Sequence, residues 1–250
     1  MVADNIHEVI AQLDVIVDDA RARQDPLGYF AAMYRAVTIR IKDDIAAGRF
    51  EDGPRMDRVD TTFANFYLRA YEEHRTGGTP SGPWKLAFDF AQRSKAGVFQ
   101  HLLLGMNAHI NFDLAQAVFE SDEDLPSLRK DYERINDVLK DLLGPLQNKV
   151  ESHIFGAPFI DFMLGQLDER FAGWEMAKAR AHAWEHAKEL DDAGSAGERR
   201  QVIEHMDVYA QSLARRLLLP GGKSSTLWCV LQRLEKTNVR AIIASIESVG

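Results

Sequence analysis

What the chain lacks narrows its identity first. It has one cysteine, Cys229, in 250 residues. That excludes an intramolecular disulfide and any multi-cysteine zinc site, and it suits a reducing compartment. Phosphate backbones call for clustered Lys and Arg; no such cluster is present, and the formal charge of −8 has the wrong sign for a nucleic-acid or anionic-membrane surface. Long apolar runs are missing as well, since no segment approaches the roughly 18 uncharged residues of a membrane span. The opening MVADNIHEVIAQLDVIVDDA carries Asp4, Glu8 and Asp14 among its apolar residues, unlike the basic flank and unbroken apolar stretch that mark export. The expectation is a cytoplasmic protein with no nucleic-acid partner and no membrane insertion. There is also no glycine-rich phosphate loop, no G-x-S-x-G elbow and no H-E-x-x-H, which disfavours the nucleotide-fold enzymes; Cys229, inside LWCVLQRL, reads as a core or interface thiol.

Strict polar–apolar alternation is absent too, whereas apolar residues recur at three and four spacings almost throughout. The fold class is therefore all-α. At 46% apolar composition the chain can bury one substantial core, so we expect a single helical domain over 1–250. The spacing predicts helices over Ile6–Arg23, about 26–47, 57–75, 84–92 and 98–119. It predicts further helices from 127 to a break or kink at Gly144-Pro145, resuming to about 155, then over 173–190, 198–218 and 225–247. The breaks fall at Asp25-Pro26, Gly53-Pro54, TGGTPSGPW, Gly156-Ala-Pro158 and Pro220-Gly-Gly222.

One segment differs in kind. VFQHLLLGMNAHINFDLAQAVF, Val98 to Phe119, is apolar almost all the way round and so belongs in the middle of a bundle. Yet it contains His101, Asn107, His109, Asn111 and Asp113. Each unpartnered buried polar group costs roughly 1–3 kcal/mol, so these must be satisfied by something. His109 and Asp113 are four apart, one turn above each other, and can meet a common metal ion or each other. Gly105, one turn before His109, gives up about 1 kcal/mol of helix propensity and lets another helix or a ligand approach closely.

A metal site in a helical bundle draws ligands from several helices. Asp57 and Asp60 in MDRVDTTFANFY and Asp131 in RKDYERINDVL are the carboxylates at suitable spacing, with Asp57 also placed to cap its helix. His182 and His186 with Glu189, in ARAHAWEHAKEL, form a second paired set; Lys178, Arg180 and Lys188 around them read as a solvated face, with Trp184, Ala181 and Ala177 on the buried side. His153 is an outlying candidate, and His7, His74 and His205 read as surface residues.

Through LLLGMNAHINFDLA, RMDRVDTTFANFYLRAY and RAHAWEHAKEL the chain resembles an uncharacterised bacterial family of all-helical proteins with a G-M-N-A-H-I-N-x-D-L core. The likeness covers most of the length, and that family carries no assigned activity. More distantly, the H-x-x-x-D embedded in an apolar helix resembles the bundle of zinc-dependent phospholipase C and its related nucleases. That resemblance implies phosphodiester hydrolysis at a zinc cluster. Only the pair His109 and Asp113 matches it; the N-terminal Trp, a second H-x-x-x-D and disulfides are absent.

Two main readings follow. In the first the protein is a metal-dependent hydrolase with a divalent zinc, iron or manganese ion. His109 and Asp113 are ligands, Asp57, Asp60 or Asp131 complete the set, Asn107 and Asn111 orient ligands or substrate, and a metal-bound water attacks. The same geometry serves a metal-free acid–base site in which Asp113 tunes His109. In the second the protein is non-catalytic and binds a small apolar molecule or partner helix between Phe63, Phe66, Tyr67, Phe99 and Phe112. An interaction role for a C-terminal stripe of Leu227, Val230, Leu231 and Leu234, beside Trp228 and Cys229, is a third. The expected partner is a small-molecule ligand or substrate, and a homo-oligomer is compatible with every reading.

Overall fold

In the computed structural model, residues 1–92, 97–121, 124–151, 176–218 and 238–249 are described. Among them every regular element is helical, as the periodicity requires. The elements are α1 (Ile6–Arg23), α2 (Gly28–Ala46), α3 (Gly53–Thr76), α4 (Gly82–Ala91), α5 (Val98–Ala108), a π-helical turn (His109–Asp113), α6 (Leu114–Ser121), α7 (Leu125–Glu151), α8 (Met176–Asp192), α9 (Ala196–Leu218) and α10 (Val239–Glu247). None of the described helices is long and apolar enough to cross a membrane.

The first helix forms where its pattern places it. Asn5 accepts a hydrogen bond from the Glu8 amide at its start, and Ile6, Val9, Leu13, Ile16 and Val17 are buried along one face. The third starts earlier than its spacing suggests. Asp52, not Asp57, caps it by accepting from the Arg55 amide, and Pro54 sits in the first turn, where a missing N–H costs nothing. Gly53-Pro54 thus opens a helix instead of ending one. The seventh runs unbroken through Gly144-Pro145 to Glu151, and tolerates the loss of one ladder bond at the proline. The expected breaks at Gly156-Ala-Pro158 and Pro220-Gly-Gly222, the candidate His153, the C-terminal stripe and Cys229 lie outside the described residues.

Two hydrophobic clusters build the core. One gathers side chains from α1, α2, α3, α4 and α10 with Val98, Leu102, Leu104 and Ala108 of α5. The other gathers α7, α8 and α9 around Ile110, Phe112, Leu114, Ala115 and Val118. The expected central helix is therefore central, and its π turn lies where the two clusters meet. At Gly105 the two helices come close: a Cβ there would stand 2.4 Å from the Phe30 ring, so only glycine lets α2 pack onto α5 at this point.

Candidate functional site

The straight helix expected over 98–119 is interrupted at the polar motif. Residues His109–Asp113 form one π turn, closed by the Leu114 amide donating to the His109 carbonyl, and all five residues are buried. Such turns disturb the regular ladder, and they are found preferentially at functional sites.

Inside it, His109 and Asp113 meet. His109 Nδ1 lies 3.0 Å from Asp113 Oδ2, and the same oxygen accepts a hydrogen bond of 2.8 Å from the Trp84 indole N–H. The imidazole sits in a box of rings. Phe63 stacks on it at 3.5 Å with planes 7° apart, and Tyr34 meets it edge-on at 4.6 Å. Phe30, Trp84 and Tyr67 stand at 5.8, 6.0 and 6.4 Å.

This box sets the protonation of the pair. Burial pushes His109 well below its usual range, and it pushes Asp113 well above its own against the opposing pull of the Trp84 bond. Both shifts disfavour charge, so the favoured form of the dyad is neutral overall. A proton shared in the Nδ1–Oδ2 bridge is compatible with a ring hydrogen on Nε2. Nε2 is buried and has no hydrogen-bond partner.

Beside His109 lies a cavity of about 70 Å³, walled by Phe30, Met33, Val37, Phe63, Met106 and Leu139 among others. It is several times the roughly 10–15 Å³ that one water requires by the same measure. Its polar lining comes from His109, Tyr34, Asp60, Tyr132 and Arg180. Asp60, one turn before Phe63 on α3, is 4% exposed, and its Oδ2 has no partner. Burial first and the neighbouring Asp57 second raise its carboxyl to about 8, so near neutrality it is mostly a protonated acid and a donor. The Tyr34 hydroxyl is likewise buried without a partner.

The other candidates are spoken for elsewhere. Asp57 accepts from the Ile6 amide at 2.9 Å and from the Thr61 hydroxyl at 3.1 Å, tying α3 to the start of α1. Asp131 accepts from the amides of Glu51 and Asp52 at 2.8 and 3.0 Å and lies 3.6 Å from Arg55. Asn107 donates to the Ala210 carbonyl of α9, and Asn111 donates to Asn107; neither lines the cavity. Of the expected aromatic walls only Phe63 lines it; Phe66, Tyr67, Phe99 and Phe112 do not. His182 is exposed, and His186 pairs with Glu189 at 3.0 Å on the surface of α8. Among the described residues no group of three or more His, Cys, Asp or Glu is placed to hold a metal ion.

Two residues at the site carry no plain mark in the sequence. Trp84 stands at the edge of a Gly- and Pro-rich stretch yet donates to Asp113. Arg180 stands among charged residues yet is 4% exposed. Spacing held the clue to Arg180: Ala183, Trp184 and Ala187, three, four and seven residues on, are all buried, whereas Ala177 and Ala181 are exposed.

No curated protein and no solved structure matches the chain. Residues 6–220 match a family of unknown function, DUF5995, and the chain belongs to that family.

Proposed function

We propose that in this member of the DUF5995 family the cavity at the π turn binds a small, mostly apolar molecule and engages one oxygen of it through the proton donors His109 and Asp60. The observation that carries this reading is His109 Nε2. A buried ring nitrogen, on a residue lining the cavity and held in place from behind by Asp113 and Trp84, has no hydrogen-bond partner among the described residues. An unmet donor of this kind costs roughly 1–3 kcal/mol, and a ligand oxygen would remove that cost. Aromatic and aliphatic walls would hold the rest of the molecule.

Acid–base chemistry is the second reading, favoured by the relay itself. When Nε2 gives up its hydrogen to a bound molecule, the bridging proton can pass to Nδ1, leaving Asp113 ionised beside the Trp84 N–H. The metal-dependent hydrolase fits these positions less well. Asp57 and Asp131 are engaged by main-chain amides, Asp113 faces Nδ1, and of the five expected ligands only His109 and Asp60 are among the described lining residues of the cavity.

The test is nitrogen NMR of the histidine rings during titration with cyclohexanone and, separately, cyclohexane. Cyclohexanone should bind and move the His109 Nε2 resonance, whereas cyclohexane should bind more weakly and leave that resonance in place. Failure of both to bind would remove the pocket reading.

A further inference from the structure

Arg180 lines the same cavity from α8 and brings it a positive charge. Its guanidinium has five N–H groups. One, on Nε, donates to Asn136 Oδ1 at 2.8 Å, and one on Nη2 donates to the Tyr132 carbonyl at 2.7 Å. The group also lies over the Tyr132 ring, 4.3 Å from its centre. Among the described residues no carboxylate pairs with it. The two anchors and the ring fix the orientation of the plane, and none of these described partners carries a compensating negative charge. A buried charge without a counter-ion is expensive, and cores that retain one normally pair it. Arginine's planar fork is suited to a carboxylate, which it takes through two parallel N–H donors.

The rest of the lining agrees with an anionic guest. Asp60, the carboxyl among the described lining residues, is raised to about 8, and burial moves both His109 and Asp113 toward their uncharged forms, which lessens repulsion of an anion. Arg180, the one cation among the described lining residues, matches a single negative charge; a phosphate dianion would arrive with charge left over. The small volume and apolar walls require that charge to sit on a short hydrocarbon body.

We propose that the molecule taken by this cavity is an apolar monocarboxylate whose carboxylate is bound by Arg180 and supplies the oxygen engaged by His109 and Asp60, with its hydrocarbon part against Met33, Val37 and Leu139. This inference rests on the pocket reading above and adds the ligand's charge to it. Isothermal titration at pH 7 with hexanoate and with its uncharged counterpart hexanamide tests it. Wild-type protein should bind hexanoate at least about tenfold more tightly than hexanamide, the factor expected for charge-assisted hydrogen bonds. Arg180→Gln should erase that preference by weakening hexanoate alone, and Arg180→Lys should restore part of it. Equal affinities in the wild type would overturn the anionic ligand while leaving the pocket in place. A preference that survives Arg180→Gln would overturn the role of Arg180. Binding of neither compound would overturn both readings. Because Arg180 also anchors Tyr132, circular dichroism checks that each variant is folded; if Arg180→Gln is not, the wild-type comparison of acid and amide decides alone.

Discussion

Asp60 holds its proton in the folded chain up to about 8, against 3.8 for the same group in water. Between those values the native state keeps a proton that the unfolded state has lost, so Asp60 makes stability fall as pH rises. His101 does the reverse. Buried between Tyr29 and Phe90, its ring is lowered from 6.5 to about 3 by desolvation, so its contribution is lost as pH falls through that window. The two slopes oppose each other from about 4 to 6.5, and above that Asp60 acts without His101. Urea unfolding should therefore show wild-type stability declining between pH 6.5 and 8, by up to about 1.4 kcal/mol per pH unit from this group. The Asp60→Asn variant should lose most of that slope and be the more stable protein at pH 8. Equal slopes would mean that Asp60 is ionised in the native state. At this scale His109 and Asp113 are legible in the sequence as polar residues in an apolar helix, and Asp60 by its spacing from Asp57. The sequence hid Arg180 and Trp84, since a charge beside other charges reads as surface and a tryptophan beside glycine and proline reads as loop edge.

At the scale of the element, the central helix owes its place to Gly105 and its chemistry to the π turn. A methyl group at Gly105 would fall within 3.1 Å of three Phe30 atoms, and Phe30 is itself packed against Tyr67, Trp84 and His109. Overpacking of this kind costs about 1–3 kcal/mol, and the gain in helix propensity returns only about 1. Gly105→Ala should thus be destabilising by up to about 2 kcal/mol in a thermal or urea melt and should move the His109 ring resonances; a stabilised variant would show that Phe30 shifts freely. Asp131 makes the complementary prediction. Its carboxylate satisfies two amides just ahead of α3, so Asp131→Ala should cost about 3 kcal/mol by leaving both without their acceptor, while hexanoate binding in the folded variant should be unchanged. A loss of binding at full stability would return Asp131 to the site. The helices themselves were readable from period and caps. The π turn was not, because a one-residue widening leaves the apolar pattern nearly intact, and the start of α3 was misplaced because Gly-Pro both ends and opens helices.

Across the whole molecule, the site lies where two hydrophobic clusters join, with donors arriving from α3, α8 and the central segment. That arrangement bears on the metal expectation, since the carboxylates that sequence spacing nominated are spread over separate structural tasks. Protein purified without chelator or a metal-binding tag should carry no stoichiometric zinc, iron or manganese; metal present in the wild type and lost in a His109→Ala, Asp113→Ala double variant would reinstate a metal centre. By itself the sequence determined the helical class, the buried course of Val98–Phe119 and the adjacency of His109 to Asp113, because each follows from local period and from the cost of unpartnered polarity. Only the tertiary structure decided which carboxylates face main-chain amides and which face open space, and that an arginine from a distant helix shares a cavity with His109. Those outcomes depend on how helices far apart in the chain pack together, which no local pattern encodes.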